Sequence, residues 1–176
     1  MSFWKKLFGG GGGEDSISLA ARPDLDELLN SDDENGSIIA LDNHVSALCG
    51  YGDHLEKLSD EQKNFYFNQS LEREVNNGGF NQFFYNSTGD FAHETFESLR
   101  LIGAVKTARI LQNAINEFPN GTVPKDREQR VVVIKTVEDT ANQVWEELDE
   151  RFFAYEDDLN QLNLEYVRQN LEKFSS

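Results

Sequence analysis

The chain has 176 residues, 38% of them hydrophobic, and its 16 basic and 32 acidic side chains give a formal charge of −16. That is enough for one domain with a real core, and too anionic to hold free nucleic acid, whose phosphates would be repelled. Cations and basic proteins remain as partners. Cys49 is the only cysteine, which rules out an internal disulfide framework and a cysteine zinc cluster and fits a reducing, cytoplasmic setting.

The acidity is uneven. Residues 14–34 hold eight acids and one base, residues 138–158 hold nine acids and one base, and the remainder is nearly neutral. Two segments therefore make the field of the molecule.

In chain order, "MSFWKKLFGGGGG" opens with Phe3, Trp4, Lys5, Lys6, Leu7 and Phe8 and runs into five glycines. It reads as a terminus on a Gly linker, with contact to an anionic membrane surface through the aromatic and basic tip as the alternative. Residues 1–36 are expected as a flexible lead-in with a short helical turn at Leu25, Leu28 and Leu29, and residues 37–176 as the folded domain. Ile38, Leu41, Val45 and Leu48 recur at helical steps. Ser59 with Gln62 is a capping box that opens a helix carrying Phe67, Leu71 and Val75 and ending at Asn76-Asn77-Gly78-Gly79. Phe80, Phe83 and Phe84 start a short helix. Asp90 is placed to cap the next, whose apolar set runs unbroken from Ala92 to Phe118. Pro119, Gly121 and Pro124 end it. Val131, Val132 and Val133 are strand-like locally, but Ile134, Val137, Ala141, Val144, Trp145, Leu148 and Phe152 keep helical spacing. A last helix carries Leu159, Leu162, Tyr166, Val167, Leu171 and Phe174. The expected fold class is all-α, an irregular bundle of about six helices.

The stretch "EVNNGGFNQFFYNSTGD", residues 74–90, concentrates amides, glycines and aromatics. Asn and Gly tolerate the positive φ of a helix end, and Asn81 and Gln82 can bond turn backbone, so a structural reading is complete. The alternative is a small-ligand or enzymatic pocket lined by Asn77, Asn81, Gln82, Phe84 and Asn86, with His93 as the nearby titratable group.

With "LRLIGAVKTARILQNAINEF" and "LDERFFAYEDDLNQLNLEYVRQN" further on, this stretch resembles a bacterial family of unknown function named for the C-terminal domain of a DNA mimic protein. The resemblance covers residues 58–173 and rests on Asn77, Gly78, Gly79, Phe80, Gln82, Phe83, Asn86 and Gly89. It implies an all-α fold. It also implies, more distantly, action by an acidic surface that occupies a DNA-binding protein; the matched motif residues are not known to be that surface.

The acids must be argued separately. At about 100° per residue, Asp139, Glu146 and Glu150 fall on one line of the helix over 134–152, with Glu147 and Asp149 flanking it and the apolar residues opposite. Glu146 and Glu150 stand roughly 6 Å apart along the axis, against about 3.4 Å between phosphates on a DNA strand. Glu156, Asp157 and Asp158 extend the ridge past the helix end. The alternative is a solvated face that keeps the protein dispersed.

Other chemistry is thin. The histidines, His44, His54 and His93, form no H-E-x-x-H or E-x-x-H pair, and no P-loop or G-x-S-x-G occurs. A metal on His44, His54, Asp42 and Asp53 is the weakest option, and Cys49 on an apolar helix face reads as core. The expectation is a non-enzymatic protein without metal or cofactor that binds a basic protein through its acidic ridge, as a DNA mimic or as an immunity-type inhibitor of a basic toxin.

Overall fold

A computed structural model describes residues 23–175, and all regular structure among them is helical. The aromatic and basic tip at residues 3–8 and the Gly run lie outside the described residues. Helix α1, Leu25–Leu29, is capped by Asp24 and buries Leu25 and Leu29. Helix α2, Glu34–Leu48, is capped by Asp33 and begins four residues before Ile38, the first position of the apolar pattern. The second half of the lead-in is thus tied down: Ser37 Oγ donates to Leu28 O at 2.7 Å, and Arg168 donates to Leu29 O at 2.7 Å.

Helix α3, Asp60–Tyr85, has the expected capping box, with reciprocal bonds of 2.9 and 3.1 Å between Ser59 and Gln62. It is the spine of the bundle. Phe65, Leu71, Val75, Phe80, Phe83 and Phe84 along it are fully buried. Helix α4, Ala92–Leu101, returns alongside it, where Ser98 Oγ donates to Asn64 O at 2.7 Å.

The single helix expected from Ala92 to Phe118 is broken. After α4 the chain turns at Gly103, φ +85°, and resumes as α5, Val105–Ile115. Ala104 N donates to Leu99 O and Gly103 N to Arg100 O, the paired bonds of a Schellman stop. The apolar spacing carries straight through this corner, so periodicity alone hides it. Helix α6, Arg127–Phe153, is capped by Asp126 and takes in the strand-like valines. The last helix also divides at Asn170, into α7, Leu159–Gln169, and α8, Leu171–Phe174.

An aromatic cluster locks α3, α5 and α6 together. The Phe84 ring lies 4.8 Å from Phe118 and 5.3 Å from Trp145, centroid to centroid, and Trp145 Nε1 donates to Ala114 O at 3.1 Å. Phe84, Phe118 and Trp145 are among the largest fully buried side chains of the core. Cys49 is fully buried and its thiol is pushed up by burial, the state of a packing residue rather than a reactive thiolate.

Candidate functional site

The conspicuous motif is a junction between α3 and α6. Within α3 the backbone leaves helical geometry at Gly78 and Gly79, the latter at φ +71°, ψ −175°, and helix resumes at Phe80. Restarting a helix exposes amide donors. Asp149 of α6 reaches across and accepts the Phe80 amide at 2.8 Å. A Cβ on Gly79 would collide with that carboxylate, so the glycine serves both the turn and the approach.

The amides of the motif satisfy one another. Glu74 accepts from Gln82 at 2.7 Å and from Asn86 at 2.9 Å, Asn77 donates to Gln82, and Asn81 donates to Asn142 of α6 at 2.9 Å. Phe84 is wholly buried. The polar groups proposed above for a ligand pocket are therefore turned toward each other. His93 Nε2 accepts the Val123 amide at 3.2 Å, so this ring nitrogen is taken up by backbone.

At the end of the motif stands Arg130, a fully buried guanidinium that composition and spacing do not single out. It donates to Phe84 O, Asn86 O, Pro124 O and Lys125 O at 2.6–3.0 Å and to Asp90 Oδ1 at 2.6 Å. Asp90 thus pairs with Arg130 and does not cap α4, whose N-terminus has no side-chain cap. Gly89 leaves room for this arrangement, since a Cβ there would meet Arg130 Nε at 2.7 Å.

The eight acids expected to form a ridge separate into two groups. Asp149 is half-buried on the Phe80 amide, and burial holds its carboxyl above the usual 3.8 despite that bond, with Glu146 and Glu150 adding to the rise. Asp157 accepts the Thr107 amide at 2.8 Å and the Thr107 hydroxyl at 3.1 Å, capping α5 from a distance. Asp158 caps α7 through Gln161 N at 3.0 Å, and Glu156 pairs with Lys106 at 3.4 Å. Nearby, Tyr155 bridges Asn76 and Glu72, and burial pushes its phenol up to about 12. These four acids hold the α6–α7 corner and the α3 break in place.

Asp139, Glu146, Glu147 and Glu150 are the other group. All four face solvent, and none has an ion pair or hydrogen bond from a side chain among the described residues. They stand on a 27-residue helix packed along its opposite side by Ile134, Ala141, Trp145, Leu148 and Phe152. The metal-ligand candidates are dispersed: Asp42 pairs with Arg73 and accepts from Ser46, while His54 turns to Glu56. A cavity of about 610 Å³ lies elsewhere, between the start of α3 and α4, over Phe67 and Phe91. Its rim acids Glu56, Asp60, Glu94 and Glu97 are each engaged with a neighbouring base. No helix among the described residues is long and apolar enough to cross a membrane.

These observations define a class: an all-helical domain in which an Asn-Gly-Gly-Phe break is bolted to an acid-bearing helix. The chain belongs to the DMP19-like protein family, whose pattern matches residues 56–170 and so spans α3 through α7. No curated protein and no solved structure matches it.

Proposed function

We propose that the chain is a non-enzymatic, acidic binding protein that occupies a basic protein partner, in the manner of a DNA mimic set against a nucleic-acid-binding protein. The observation that carries this reading is the set of four solvent-facing carboxylates, Asp139, Glu146, Glu147 and Glu150, left without partners on a rigid helix. A fixed row of like charges attracts a basic groove without the ordering cost that a flexible acidic tail bears. Family membership supports the same reading. An immunity-type inhibitor of a basic toxin would use the same surface and would differ only in what it captures.

The test is affinity capture from lysate with identification of the bound proteins, comparing the wild type with a variant carrying D139N, E146Q, E147Q and E150Q. Basic proteins recovered by the wild type should be absent from the variant. Recovery of the same proteins by both would remove the support.

A further inference from the structure

The acidic face ends on an aromatic ring. Phe153, the last residue of α6, is 45% exposed. It follows Glu150 by three residues and Glu146 by seven, so at about 100° per residue it sits about 20° from Glu146 and about 60° from Glu150 around the helix, and about 4.5 Å beyond Glu150 along the axis. Its neighbour Phe152 is buried against Phe80 and Tyr155. Phe153 itself has no ring or cation partner among the described residues. One open cleft of about 510 Å³ brings the Phe153 ring together with Glu146, Glu147 and Glu150.

We infer that this end of the surface specifies arginine rather than lysine on the basic partner, with a guanidinium lying over the Phe153 ring while it donates to Glu150 and Glu146. The inference rests on the partner-binding reading above and names the side chain that reading leaves open. The chemistry is selective. A guanidinium is planar and weakly hydrated; it stacks on an aromatic face while its N–H groups bond a carboxylate edge-on, whereas an ammonium is a compact, strongly hydrated point charge. The spacing suits it, because side chains three apart on a helix are neighbours. The molecule itself forms the same pairing elsewhere: Arg100 lies over Phe96 at 5.7 Å and Arg127 over Tyr85 at 5.3 Å from the ring centroids.

The test measures binding of fluorescent nona-arginine and nona-lysine peptides to the full chain by anisotropy at low salt. The wild type should prefer the arginine peptide. F153A should reduce that preference roughly two- to fivefold, the worth of one exposed cation–π contact, by weakening the arginine peptide alone; F153Y should retain it and F153L should lose it. Equal affinity of the wild type for the two peptides, or an F153A effect that is absent or the same for both, overturns the inference. The paired change E146Q/E150Q should weaken both peptides. If it weakens neither, or if neither peptide binds the wild type, the acidic-surface reading fails and this inference falls with it. A lost preference in F153A beside an intact melting temperature separates recognition from folding.

Discussion

Two faces of one helix put the same kind of side chain to opposite uses. Toward the core, α6 offers Arg130 and Asp149: five donors of one guanidinium to the Phe84 and Asn86 carbonyls and the Asp90 carboxylate of the Phe80–Asp90 segment and to the Pro124 and Lys125 carbonyls before α6, and one carboxylate to the Phe80 amide of a restarting helix. Toward solvent, it offers Asp139, Glu146, Glu147 and Glu150, matched to nothing among the described residues. A charge that is buried and fully bonded belongs to the architecture, and removing its partner leaves an uncompensated ion inside. A charge in water with no partner contributes little to stability. Counting acids along the chain cannot separate the two cases; only their partners do.

The comparison makes ordered predictions. Arg130→Met should cost about 3–5 kcal/mol in chemical denaturation, because Asp90 and the four carbonyls lose their donor together. That is a large fraction of a typical domain's stability, so the variant should be recovered in low yield. A loss under 1 kcal/mol would contradict the view of the motif as a junction. Gly79→Ala should cost about 1–3 kcal/mol, since φ +71° with ψ −175° is accessible to glycine almost alone.

Asp149 sharpens the contrast, because it lies on the acidic helix yet acts inward. Asp149→Ala should lose about 1 kcal/mol, the usual worth of a helix cap. Asp149→Asn keeps an oxygen for the Phe80 amide and should lose less. The pH dependence has a definite sign. Burial raises the Asp149 carboxyl above 3.8, so the folded state holds its proton to higher pH than the unfolded chain does. Stability from that proton is present at low pH and fades as pH rises through the raised value. Asp149→Asn cannot titrate and should flatten the stability profile in the window from 3.8 upward. A steeper profile would reverse the assignment. Smallest of all, the D139N/E146Q/E147Q/E150Q variant should stay within about 0.5 kcal/mol of the wild type in thermal unfolding.

Much of this arrangement was legible in the residues. Helical spacing marks α2, α3, α6 and α7, the Ser59–Gln62 box marks the start of α3, and Asn-Gly-Gly marks its break. What periodicity could not reveal was set by tertiary partners. The corner at Gly103 interrupts a continuous apolar pattern because a Schellman turn needs only one glycine at its end. Asp149 and Asp157 look like surface acids on a helical wheel or in a loop, but each caps a helix start far away in sequence, at Phe80 and at Thr107. Asp90 sits where a helix cap is expected and answers instead to Arg130, whose burial no local signal announces. Of the acidic ridge, only Asp139, Glu146, Glu147 and Glu150 stay free and exposed, because the corner between α6 and α7 recruits Glu156, Asp157 and Asp158 and the α3 break takes Asp149.

Binding of the captured basic partner, titrated against salt, is the most direct measurement. If the four free carboxylates supply the attraction, log affinity should fall steeply with log salt for the wild type, and the D139N/E146Q/E147Q/E150Q variant should bind more weakly with a clearly shallower slope. Equal slopes for the two proteins would mean that the attraction arises elsewhere on the molecule.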